Sequence, residues 1–298
     1  MQHESRVLPA PQKIALLQDF ARLGFPRIEV TSYARPDLIP QFADASEVLA
    51  GIPRKKGITW TATCPNTRGV ERALADREKG AGVDELSLLL SATDSHSERN
   101  LRRSREDQWK NVEAMVAAGK GTIGLAAVIS VVFGCPFEGA VDPGVVYRDV
   151  ERLAGLGITR ITLADTVGMA TPETTRATFA RARQDFPGIT FVAHGHDTRG
   201  TGLVNYLAAW EAGVRDFDSS FGGAGGHPAT IQYGGGYTGN VCTEDWVDLL
   251  ETMGVDTGLD LEALIPVARQ CEAVLGRELQ GRVTRSGLNP LKPSDGAS

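Results

Sequence analysis

Four times along this 298-residue chain a helical stretch stops at a glycine and gives way, within three residues, to a short strand. Gly24 precedes Arg27-Ile28-Glu29-Val30-Thr31, and Gly82-Val83 precedes Glu85-Leu86-Ser87-Leu88-Leu89-Leu90. Gly157-Ile158 leads into Arg160-Ile161-Thr162-Leu163, and Gly213-Val214 into Asp216-Phe217-Asp218-Ser219. A glycine just past a helix takes the left-handed conformation at low cost, so each one marks a helix stop and a strand start. Three more strands fall between these units, at 58–63, 122–130 and 189–194. Helix starts separate them: Pro11, a capping box from Ser104 and Asp107, Asp142-Pro143, and Thr171-Pro172.

Strands alternating with helices predict a parallel sheet, either wound open or closed into a barrel. The open form calls for a glycine-rich phosphate turn after an early strand, and the sequence has none. The count is seven strands and eight helices, starting on a helix. The expectation is therefore an α/β chain folded as a (β/α)8 TIM barrel that lacks its first strand in the given sequence. A helix at 259–279 is added beyond the barrel. Residues 1–285 read as one domain and 286–298 as a disordered tail.

Composition narrows the partners. A net charge of -6 argues against nucleic acid and anionic membranes, which favour a basic face, and leaves room for a small anionic ligand. Cys64, Cys135, Cys242 and Cys271 lie far apart without a CxxC pair and read as cytosolic thiols. No apolar run approaches the ~20 residues of a membrane span. The first residues lack an apolar signal core, so a cytoplasmic location is expected.

Two of the five histidines, His194 and His196, stand at the end of the strand at 189–194. Residues i and i+2 of a strand share a face, so the two imidazoles form half of a divalent-metal site or, more blandly, a hydrogen-bonded core pair. In a barrel the active site lies at the carboxyl ends of the strands. Those ends carry Glu29 with Thr31 and Ser32, Cys64-Pro65-Asn66, Ser130, Thr162 with Asp165-Thr166, the histidine pair, and Asp218-Ser219-Ser220. After the last strand, eight glycines fall between positions 222 and 239, a density that suits close backbone approach to a ligand. Asn240 follows them, just ahead of the helix start Thr243-Glu244-Asp245, where it either faces the pocket or serves the helix.

Taken in order, several segments resemble the 3-hydroxy-3-methylglutaryl-CoA lyase family. They are Ile28-Glu29-Val30-Thr31-Ser32-Tyr33, Cys64-Pro65-Asn66, Gly134-Cys135-Pro136-Phe137-Glu138-Gly139, Ala164-Asp165-Thr166-Val167-Gly168, His194-Gly195-His196-Asp197-Thr198 and Gly239-Asn240-Val241-Cys242-Thr243-Glu244-Asp245. The Gly-Cys-Pro-Phe-Glu-Gly and Gly-Asn…Thr-Glu-Asp segments discriminate most, because the His-x-His motif is shared with isopropylmalate-type synthases and biotin-dependent carboxyltransferases. The resemblance implies retro-Claisen cleavage of a 3-hydroxy-3-methylglutaryl thioester to acetyl-CoA and a keto acid. It implies a divalent cation, Mg2+ or Mn2+, on His194, His196 and Asn240, with Glu29 and Asp165 as the acidic catalytic candidates. Asn66, Ser130 and Thr162 are the substrate-contact candidates. The partner is then an acyl-CoA or hydroxy acid, and the oligomeric state, homo-oligomer included, stays open.

Two departures from the family pattern stand out. Its fourth metal ligand and catalytic arginine belong to a first strand ahead of the segment matching Met1-Gln2. A start assigned too late is the favoured reading; a truncated, non-catalytic barrel is the alternative, beside a related Claisen-type synthase. The second departure is His227, which stands where the family's glycine-rich loop carries a cysteine. An imidazole transfers protons near neutral pH, so His227 is a third catalytic candidate.

Overall fold

In the computed structural model, which describes residues 4, 6–226 and 239–291, seven parallel strands form one sheet in chain order. They are β1 (Arg27–Ser32), β2 (Thr59–Cys64), β3 (Glu85–Ser91), β4 (Gly124–Ser130), β5 (Arg160–Asp165), β6 (Thr190–Gly195) and β7 (Asp216–Asp218). The helices α1 (Ala10–Leu23), α2 (Ala45–Gly51), α3 (Thr67–Glu78), α4 (Asp94–Leu101), α5 (Arg105–Gly119), α6 (Pro143–Gly155), α7 (Pro172–Asp185) and α8 (Gly202–Glu211) precede and connect them. Beyond β7 come α9 (Thr243–Thr252), α10 (Leu261–Leu275) and α11 (Val283–Ser286).

The strand and helix signals act as read, with one exception. Gly24, Gly157 and Gly213 have φ of 99°, 88° and 89° and end their helices. In the second unit the left-handed residue is Gly80, at φ 75°, two positions earlier. Gly82 answers a different need: a Cβ there would lie 2.1 Å from Arg77 Cγ. Ser104 caps α5 by accepting from Asp107 N–H, Asp142 caps α6, and Thr171 and Thr174 form a reciprocal capping box on α7.

Alternation sorts the strand residues into two faces. Trp60, Ala62 and Cys64 of β2, Leu86, Leu88 and Leu90 of β3, and Ala127 and Ile129 of β4 are buried against the helices. The other face looks inward. The sheet curls on itself: Phe20 of α1 stacks on Phe221, just after β7, with ring centroids 5.1 Å apart. A second cluster of Leu16, Leu23, Phe221, Leu264 and Val267 seats α10 beside α1. Leu264 is fully buried, so truncating it to alanine costs about 2–5 kcal/mol.

The added helix is shorter than the expected 259–279, because Gly276 (φ 70°) stops it and α11 follows as a separate turn. In the expected tail, Ser286 closes α11 and Asn289 N–H donates to Asp248 Oδ1 of α9 at 2.7 Å; residues 292–298 lie outside the described residues. All four cysteines are buried free thiols. Among the described residues no helix is long and apolar enough to cross a membrane.

Candidate active site

The first residues of the odd-numbered strands, Arg27, Glu85, Arg160 and Asp216, form one inward layer of alternating charge at the amino end of the sheet. Arg27 pairs with Glu85, and Arg160 Nη2 lies 2.7 Å from Asp216 Oδ1. Glu85 feels both arginines, which oppose the rise in its pKa caused by burial. Four side chains from alternate strands in one layer is the packing rule of a barrel interior, met here by charges in place of the usual branched apolar groups. The layer leaves a signal in the sequence. In each of the four glycine units the charged residue stands three positions after the glycine, with signs plus, minus, plus, minus.

Two residues further along the strands, the next odd-strand layer holds Glu29, Ser87, Thr162 and Asp218. Thr63 Oγ1 donates to Glu29 Oε2 at 3.0 Å. Glu29 has exposed surface, yet the protein crowded around its carboxyl desolvates it. That desolvation, with the charge of Asp218 second, raises its pKa to about 7. A β-bulge at Val30 shifts the register of β1 against β2 between Glu29 and Thr31. As a result Ser32, three residues on, pairs with Thr63 and returns to the inward face.

The histidine pair projects from β6 into the same lumen. His194 Nε2 and His196 Nε2 converge to 3.2 Å. The glycine between them is required by the other face: a Cβ at Gly195 would stand 2.8 Å from Tyr206 Cε1. Gly195 N–H donates to the Tyr206 hydroxyl oxygen at 3.0 Å, and that hydroxyl donates to the Asp218 carbonyl. His194 and Asp218 are cross-strand partners, with Nδ1 3.9 Å from Oδ2. Burial lowers the His194 pKa against the opposing pull of Asp218, which favours the neutral imidazole that metals require.

Asn240 reaches the pair by a separate route. It forms an antiparallel bridge with His196, and its Nδ2 donates to Ala224 O at 2.8 Å. That bond commits the amide nitrogen and fixes the orientation of the side chain. Two donors about 2.1 Å from one cation are about 3.0 Å apart at a right angle and about 3.4 Å apart at the tetrahedral angle. The 3.2 Å between the histidine nitrogens suits a shared cation as well as a hydrogen bond. Among the described residues no three His, Cys, Asp or Glu side chains are grouped to hold a metal. The groups at this point of the lumen that could hold a cation are the two imidazoles and the Asn240 side chain.

The remaining candidates divide. Thr162 shares the layer of Glu29 and Asp218, and Ser130, at the end of β4, also faces inward. Asp165 does not join them. It continues the face of Ile161 and Leu163, and its carboxylate accepts from Met169 N–H (2.8 Å) and Ala170 N–H (3.1 Å), holding the turn after β5. Burial raises its pKa to about 6 against those donors. The side-chain oxygen of Asn66 is engaged in capping α3, accepting from Gly69 N–H at 3.0 Å. His227 lies outside the described residues. Next to Ser130, Val131 holds φ at 55°, unusual for a β-branched residue, with its N–H on Thr166 Oγ1 at 2.8 Å. A cleft of about 480 Å3 between α5 and α6 lies outside the sheet, and its Arg105 and Asp149 pair with each other at 2.6 Å.

The family model described as HMGL-like matches residues 1–270. The chain belongs to that family. Among its relatives is a hydroxymethylglutaryl-CoA lyase of Bacillus subtilis, 36% identical over 283 residues that span 95% of this chain and 92% of the relative. A 3-hydroxy-3-isohexenylglutaryl-CoA/hydroxy-methylglutaryl-CoA lyase of Pseudomonas aeruginosa is 35% identical over 289 residues, covering 97% and 93%. The solved structure of an HMG-CoA lyase from Acinetobacter baumannii, in complex with coenzyme A and 3-methylmalate, superposes with a TM-score of 0.90 at 36% identity and covers 98% of this chain and 93% of that one. The HMGL-like match and the inward cluster described above fall on the same residues of the chain.

Proposed function

We propose that this HMGL-like protein is a divalent-cation-dependent carbon–carbon lyase that cleaves 3-hydroxy-3-methylglutaryl-CoA, or a close homologue, to acetyl-CoA and a keto acid. The observation that carries the reading is the convergence of His194 and His196 beside Asn240, in the lumen that Glu29 faces. The names of the relatives supply the substrate class.

His194 Nε2, His196 Nε2 and Asn240 Oδ1 would hold Mg2+ or Mn2+. A cation held there would lower the pKa of the substrate hydroxyl and offset the charge of its carboxylate. Glu29, poised near neutrality, takes the proton of the C3 hydroxyl. The oxygen lone pair becomes the carbonyl of the keto acid as the C2–C3 bond breaks. The bonding pair passes to the thioester as its enolate, which takes a proton at C2 to give acetyl-CoA. Thr162 and Ser130 line the lumen where the acyl group lies. His227 is the proposed donor of the last proton.

The compartment is proposed to be the cytoplasm. The direct test is a cleavage assay with 3-hydroxy-3-methylglutaryl-CoA, following acetyl-CoA with and without chelator. Release that stops with EDTA and returns with Mn2+ supports the reading; release indifferent to chelator removes the cation from it, and no release from any 3-hydroxyglutaryl thioester overturns it.

A further inference from the structure

The Thr-Glu-Asp segment at 243–245 was singled out by its sequence, yet neither carboxylate touches the lumen. Glu244 is fully buried and Asp245 is 5% exposed, at the first turn of α9. Buried carboxyl groups persist only where donors satisfy them, so the identity of the donors shows what the pair is for.

Glu244 serves two chain segments at once. Its two oxygens accept the N–H of Gly222 at 3.0 and 3.1 Å, and Oε1 also accepts the buried Thr284 hydroxyl at 2.7 Å. Gly222 belongs to the turn after β7, and Thr284 to α11. The C-terminal segment touches that turn a second time, where Gln280 N–H donates to Gly222 O at 3.0 Å. Its close approach leaves no room for a side chain at position 281, since a Cβ there would fall 2.1 Å from Glu244 Oε1. Asp245 completes the attachment by accepting Arg282 N–H at 3.1 Å and Val283 N–H at 2.8 Å.

The turn held in this way carries Asn240. Asn240 N–H donates to Gly223 O at 3.1 Å and its Nδ2 to Ala224 O at 2.8 Å, so the turn holds its side-chain amide while the bridge to His196 fixes its backbone beside β6. The neighbouring loop is reached as well. The Arg282 guanidinium lies 3.6 Å from Asp245 and 4.0 Å from Asp197, the residue after His196. That contact is loose and solvent-exposed, hence weak; the backbone donations to the buried carboxyls do the holding.

We propose that residues 280–286 are a strap whose attachment to Glu244 and Asp245 sets the aim of Asn240, which makes Glu244, Asp245 and Thr284 positioning residues of the active site. The proposal rests on the assignment of Asn240 to the cation site. It gives the Thr-Glu-Asp segment a task, and it joins a C-terminal piece outside the barrel to the chemistry inside it.

The test uses the full chain and four variants: Thr284→Val, which removes one donor at nearly constant volume, Glu244→Ala, Glu244→Gln, and Leu153→Ala as a core truncation in α6 on another side of the sheet. Circular dichroism fixes a temperature at which each is folded. Hydrogen exchange is then read at residues 219–226 and 239–243, and the Mn2+ dissociation constant by electron paramagnetic resonance. Thr284→Val and Glu244→Ala should each speed exchange at Gly222, Gly223 and Asn240 by about 10-fold or more and weaken Mn2+ by about 10- to 100-fold. Glu244→Gln should recover part of both. Leu153→Ala should lower the melting temperature with neither effect. Unchanged exchange at these amides in Thr284→Val and Glu244→Ala, or the same change in Leu153→Ala, overturns the strap. A wild-type chain that binds no Mn2+ overturns the cation reading instead, and the exchange data still decide the strap.

Discussion

Glu29 on the first strand and Asp218 on the last face one lumen, and the charge of Asp218 adds to burial in holding the Glu29 carboxyl near pKa 7. A base with that pKa is half-loaded with protons at neutrality, where proton transfer in both directions is fast. Because the ionised form accepts the substrate proton, kcat/KM should rise with pH through a limb near 7. Asp218→Asn removes a negative neighbour, eases ionisation of Glu29 and should move that limb to lower pH. Glu29→Gln should cut kcat by about 10^2- to 10^4-fold and erase the limb. A pH–rate profile that keeps it in Glu29→Gln assigns the base elsewhere.

His194→Ala removes one of two converging nitrogens and should abolish both turnover and Mn2+ binding. Calorimetric titration of wild type and variant checks this without relying on activity. Equal metal affinity in the two proteins would detach the histidine pair from the cation.

Gly195→Ala probes the opposite face of β6. Its Cβ would press on the Tyr206 ring, which is 2% exposed and tethered through its hydroxyl, so the ring cannot yield cheaply. Overpacking of this kind costs about 1–3 kcal/mol. The expected result is a lower urea midpoint at unchanged slope, accompanied by weaker metal binding as β6 shifts.

The charged layer makes a prediction about stability alone. Arg160→Met should destabilise by on the order of 1–3 kcal/mol, because it leaves the Asp216 carboxylate without its 2.7 Å partner in a partly desolvated lumen. Adding Asp216→Leu should recover much of the loss. Additive losses in the double variant would show that the two charges do not work as a pair.

The order of the strands was readable because each glycine unit announces a helix end and a strand start within a few residues. Which face a polar strand-end residue takes was not. Thr162 in the middle of β5 and Asp165 at its end are three apart, and simple alternation puts them on opposite sides; Asp165 turns to the loop amides. Glu29 and Ser32 are also three apart and both face inward, because the bulge at Val30 adds a residue between them. The bulge leaves no mark in the sequence of β1, so the same spacing means opposite things in two strands. Asn66 misleads for another reason, since a helix cap and a ligand contact call for the same side chain. The strap was hidden because its contacts join residues about 40 positions apart in the chain.

The alternating signs of Arg27, Glu85, Arg160 and Asp216 also bear on how the sheet assembles. Each odd strand presents a charge opposite to that of the next odd strand. Exchanging β3 with β5 would set Arg27 beside Arg160 and Glu85 beside Asp216, like charges side by side. Correct neighbours attract and wrong ones repel while the side chains are still half-solvated. The alternating signs thus set apart the native order of the odd strands from an order with β3 and β5 exchanged.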